Sequence, residues 1–125
     1  MRRFSALAAV TAALIFHIGA AYAHGDLQPG HGGIVEMAGE VKFELVARND
    51  AVELYLDDHG QPMSTAKLTG KLTVTSGGAK TEAKLEPAGA DKLVARGVKL
   101  AKGDKVIAIV TMEDKSTSSA RFVIK

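Results

Sequence analysis

Cysteine is absent from all 125 residues. No disulfide can staple this chain, no thiolate can hold a metal and no thiol can act as a nucleophile. Packing alone must hold the fold, and any metal must be bound by histidine, methionine, carboxylate or a chain terminus. Tryptophan is absent too, and past residue 23 the aromatic side chains are Phe43, Tyr55 and Phe122. That set offers no docking platform for an oxidative polysaccharide enzyme. After residue 23 no apolar run approaches the ~20 residues of a membrane helix. The usual catalytic signatures are missing as well. Gly77-Gly78 is followed by no Gly-Lys-Ser/Thr, so it is a turn and not a phosphate cradle. Ser64 lies near His59, but no third group or glycine-rich elbow accompanies them. A binding protein is expected, not an enzyme.

The first residues read as an address. Arg2 and Arg3 precede a mostly apolar run, Leu7 to Ile18, and Ala21-Tyr22-Ala23 has the small-x-small pattern of a signal-peptidase site. Cleavage after Ala23 and export to the periplasm are expected; an uncleaved N-terminal anchor is the alternative. With no cysteine at the site, lipoprotein attachment is excluded. Cleavage leaves 102 of the 125 residues. Arg2 and Arg3 leave with the leader, so the 16 basic side chains fall to 14, matching 14 acidic ones. A formally neutral chain without a basic stripe predicts no nucleic-acid partner and, after cleavage, no membrane partner.

Residues 24–33 are rich in glycine and histidine and carry no apolar period, which predicts a flexible arm. From residue 34 to 125 the pattern has period two. Val41, Phe43 and Leu45 alternate with Lys42 and Glu44; Val52, Leu54 and Leu56 alternate with Glu53, Tyr55 and Asp57. Leu72 with Val74, Ala83 with Leu85, and Phe122 with Ile124 continue the habit. The run KVIAIVTM is nearly all apolar and predicts a strand covered on both faces; Ile107 is expected in the core with Leu54, although the pattern does not say whether Ile107 or Val106 faces the inner sheet. Turn chemistry separates the runs at Arg48-Asn49-Asp50, at Asp58-His59-Gly60 and at Gly77-Gly78. One helical turn at most fits residues 63–70. Seven or eight short strands in about 100 residues predict an all-β fold, an antiparallel β-sandwich of immunoglobulin-like type.

Three histidines remain after cleavage, His24, His31 and His59, and none lies on an apolar strand face. The bland reading is solvated loop imidazoles; the sharper one is a metal site. Cleavage would make His24 the first residue, so that its α-amine (pKa about 7.7–8.0) and Nδ1 chelate one ion. A second imidazole from His31 or His59 would complete a T-shaped nitrogen set, a geometry that favours Cu(II). Asp58 beside His59 adds a hard oxygen suited also to zinc or nickel, and Met63 adds a thioether suited to Cu(I). Charges for solubility at a strand end, and methionine as packing filler, are the plain alternatives for these two.

The stretch from His31 to Val74 holds a His-Gly-Gly opening, Glu-Leu-Val in a strand, Leu-Tyr-Leu-Asp-Asp-His-Gly at a strand end and then Pro-Met. In these words the chain resembles small exported β-domain proteins associated with heavy-metal efflux systems; similar segments occur in periplasmic adaptor proteins of those pumps. The resemblance covers roughly residues 31–125 and implies metal-stress biology. The expected role is a periplasmic copper-binding protein that buffers the ion or delivers it to an efflux pump. The alternative is a non-metal interaction module docking on an efflux adaptor or another envelope protein.

Overall fold

The computed structural model describes residues 27–125. The leader, its cleavage point and His24 lie outside the described residues. The elements are nine strands: β1 (Ile34–Ala38), β2 (Val41–Ala47), β3 (Ala51–Asp58), β4 (Gln61–Pro62), β5 (Thr69–Ser76), β6 (Ala79–Pro87), β7 (Lys92–Arg96), β8 (Lys105–Thr111) and β9 (Thr117–Val123). No described residue is helical, and the helical turn considered for residues 63–70 does not form. That connection is tied down instead by Thr65, whose buried hydroxyl donates to Lys92 O at 2.9 Å.

Every strand pair is antiparallel, in the order β1-β2-β3-β7-β6-β5-β8-β9, with β4 paired to the end of β3. The last strand, β9, comes round against β1 without pairing to it, so the sheet curls into a nearly closed barrel. The all-β antiparallel expectation holds. The two separate sheets of an immunoglobulin-like sandwich are not what the pairing traces. The reason is β6, which pairs with β5 from Ala79 to Leu85 and then crosses, so that Glu86 and Pro87 pair with Val94 and Leu93 of β7. This crossing joins the halves into one sheet.

The period-two pattern does the sorting. Phe43, Leu54, Leu72, Leu85, Leu93, Val106 and Phe122 all point into the barrel and are at most 1% exposed. In β8, Val106, Ala108 and Val110 face inward, and Ile107 and Ile109 face outward and are half-buried. The expectation that β8 is covered on both faces, with Ile107 in the core, is corrected here: the outer face is only partly covered, and Val106 is the residue that faces the core. Two hairpins use turns that need left-handed backbone at both central positions. His59 (φ 51°) and Gly60 (φ 84°) join Asp58 to Gln61; Gly77 (φ 56°) and Gly78 (φ 86°) join Ser76 to Ala79.

Candidate functional site

Alternation along β2 puts Lys42 and Glu44 on the outer face, where Glu44 pairs with Tyr55 of β3 and Val35 of β1. A lone carboxylate there is expected to meet water. Instead Glu44 is 2% exposed, because residues 30–33 fold back over it. Its Oε1 accepts from Gly30 N at 3.1 Å and its Oε2 from His31 N at 2.8 Å and Gly33 N at 2.9 Å. His31 Nδ1 closes the ring of contacts at 2.9 Å from Oε1. Burial alone would raise the Glu44 pKa, but the His31 side chain and the Gly33 and His31 amides together hold it below the ordinary value. The close approach dictates glycine at position 33: a Cβ there would sit 2.3 Å from Leu45 O.

His31 is fixed on a second side. Its ring stacks on Tyr55 with centroids 3.5 Å apart and planes at 8°. Its side chain keeps 41% exposure. With Nδ1 engaged by a carboxylate, Nε2 is the nitrogen left to take a ligand, which is the arrangement that orients metal-binding histidines. Further out along the arm, Lys42 Nζ donates to Gln28 O at 3.1 Å, so the arm runs down β2 toward the β1–β2 turn.

Beside Tyr55 sits a second carboxylate turned out of water. Glu53 accepts from Lys92 Nζ and from Arg48 Nε, each at 2.5 Å, and lies 3.5 Å from Tyr55 Oη. Lys92 first, then Arg48, holds its pKa below the ordinary 4.5, against the opposing effect of burial. A lowered folded pKa gives stability that is complete above about pH 4.5 and is lost as pH falls through the lowered value. Urea midpoints at about pH 7 and about pH 3.5 check this: wild type should lose more stability on acidification than Glu53→Gln. Equal losses would show that Glu53 stores no charge-dependent stability.

His59 lies at the other end of the same hairpin. Its Nδ1 is 2.5 Å from Asp58 Oδ1, and its Nε2 is 3.6 Å from Glu40 Oε2. Asp57 Oδ1 accepts from Gly60 N at 2.7 Å and braces the turn. His59 is four residues beyond Tyr55, the ring that carries His31, which from strand rise is a separation on the order of 10 Å. The fold therefore does not bring His31 and His59 onto one ion. Met63 is half-buried and packs against the core. Among the described residues no group of three or more histidine and carboxylate side chains is placed to hold a metal.

Compared with protein-family models, curated proteins and solved structures, the chain shows no significant match. What the site does must be argued from its own atoms. Glu44, Tyr55 and Glu53 are the residues that sequence reasoning passes over. The available signal was Gly30, Gly32 and Gly33 around His31: a run of unencumbered amides needs an acceptor, and the outer-face acids of β2 and β3 are the ones within reach.

Proposed function

We propose that this chain is a periplasmic metal-binding protein, for copper first and zinc or nickel next, that buffers the ion or delivers it to an efflux system. The observation that carries the reading is His31, an imidazole locked by Glu44 at Nδ1 and by the Tyr55 ring, with Nε2 left to coordinate. His24 is the partner ligand. Six residues lie between the two histidines, a length of chain sufficient for an α-amine and imidazole at position 24 to reach back to His31. The Asp58–His59 turn is a separate, weaker position. Met63, whose side chain is partly buried against the core, is the least favoured of the candidate ligands. The link to efflux rests on the resemblance of the His-Gly-Gly and Leu-Tyr-Leu-Asp-Asp-His-Gly words, and export rests on the leader.

Extending the chain by one residue before His24 removes the free amine while keeping every side chain. That form, and His31→Ala, should each bind Cu(II) at least tenfold more weakly than the native form, and His59→Ala should bind unchanged. Chelator competition on protein with a mass-verified N-terminus is the measurement. Unchanged affinity in both the extended form and His31→Ala would sink this site.

The open seam favours a second reading. β1 and β9 are sheet edges facing each other without hydrogen bonds, and such edges recruit partner strands. On that reading the protein docks on an efflux adaptor or another envelope protein, and the histidines serve only the fold. Copper-independent capture of one such adaptor would favour it. For the finer fold type, we read the halves β1-β2-β3-β7 and β6-β5-β8-β9 as the two leaves of a flattened, sandwich-like barrel.

A further inference from the structure

Across the seam, on the outer surface of the barrel, lies a groove of about 630 Å³. The arm contributes Leu27 and Pro29, β1 contributes Val35, β8 contributes Ile107 and β9 contributes Val123. Leu27 and Val123 are the large apolar side chains left most exposed among the described residues, at 56% and 57%. Both line this one groove. Strand register mixes them with cations: Lys105 lies opposite Val123, and Arg121 opposite Ile107. Lys125 lines the groove as well. None of these three bases forms an ion pair with a described residue; they share this with Lys42, Lys80, Arg96, Lys99, Lys102 and Lys115, and what sets them apart is their gathering around one apolar groove. Glu36 is the one acidic side chain in the lining.

We propose that this groove binds a free long-chain carboxylate. Its apolar chain lies along Leu27, Val35 and Val123, and its head meets Arg121 and Lys105. The volume falls within the ~300–1,000 Å³ of small-molecule sites, and the lining combines apolar walls with a few charged groups, as such sites do. Three cations with no ion-pair partner among the described residues make an anionic head the complementary one, and the planar guanidinium of Arg121 matches a carboxylate in two-point geometry. A small ligand suits the groove because Leu27 and Pro29 of the arm close one of its sides, giving a cleft and not an open face. The site shares no residue with the proposed metal ligands.

The test is a calorimetric titration of metal-free protein with dodecanoate below its micelle concentration, followed by amide chemical-shift mapping. Saturable one-to-one binding, with shifts centred on Leu27, Val35 and Val123, is the expected result. Arg121→Gln should weaken binding about tenfold, the worth of a charged hydrogen bond, and Val123→Asp should weaken it at least as much. Both residues are exposed, and an unchanged urea midpoint verifies that the variants fold. Dodecyltrimethylammonium, with the same chain and the opposite head charge, should bind at least tenfold more weakly than dodecanoate. Equal binding of the two detergents, unchanged affinity in Arg121→Gln, or no saturable dodecanoate binding would each overturn the proposal. Attachment to vesicles of anionic phospholipid with no binding of free dodecanoate would assign the surface to a bilayer instead and would overturn it too.

Discussion

Glu44→Ala will release residues 30–33 from the outer face of β2 and cost about 2–4 kcal/mol, a loss typical of breaking a buried, charge-assisted network. Three backbone amides and one imidazole nitrogen share this carboxylate. Once it is gone, the amides can only be satisfied by water, so the arm must lift. Amide hydrogen exchange at Gly30, His31 and Gly33 reads the release directly. Glu44→Gln keeps an acceptor without the charge, and should fall between wild type and the alanine variant. Copper affinity should drop with the alanine variant, because His31 loses the contact that orients it. Protection factors unchanged in Glu44→Ala would show that the arm is held by something other than this carboxylate.

Leu54→Ala will cost about 2–5 kcal/mol, the range for deleting a fully buried leucine in a packed core. Leu54 is 0% exposed, and its neighbours across β2 and β7 are Leu45 and Leu93. Ile107→Ala, an equally large truncation in a strand just as apolar, should cost less than about 1.5 kcal/mol, since the side chain faces the outer groove and is only half-buried. Val106→Ala should exceed Ile107→Ala although valine loses fewer atoms. Urea melts of the three variants decide the facing of β8. A loss for Ile107→Ala as large as that for Leu54→Ala would mean that the strand is turned the other way.

Alternation alone was enough to place most strands, because inward and outward residues differ in polarity at Val41–Leu45, Val52–Leu56 and Leu72–Val74. It failed where both kinds of position are apolar. In β8 the residues Val106, Ile107, Ala108, Ile109 and Val110 carry no polar marker, so the facing had to come from the partner strands. The architecture was hidden for a different reason. Whether two half-sheets remain apart or join depends on where Glu86 and Pro87 find their partners, and nothing in those two residues names β7. The site followed the same division. His31 stood out by its type and its glycine neighbours. Glu44 looked like an ordinary solvent-facing acid, because what buries it is a segment 11 to 14 residues earlier, returning over the strand. Conversely, His31 and His59 looked equally able to serve as the second imidazole, and the length of β3 between them sets them apart.

Leu27 and Lys125 line the same groove, so the two ends of the described chain meet at the seam where β1 and β9 face each other. A barrel whose ends adjoin is indifferent to where its strand order begins. Joining residue 125 to residue 27 through a short glycine-serine linker, and opening the chain between Gly77 and Gly78, leaves every strand pairing intact. Such a circular permutant should fold. It would carry His31, Glu44 and Tyr55 in their native places while its α-amine emerges at the β5–β6 turn and no longer on the arm, which separates what the barrel contributes to copper binding from what a free chain start contributes.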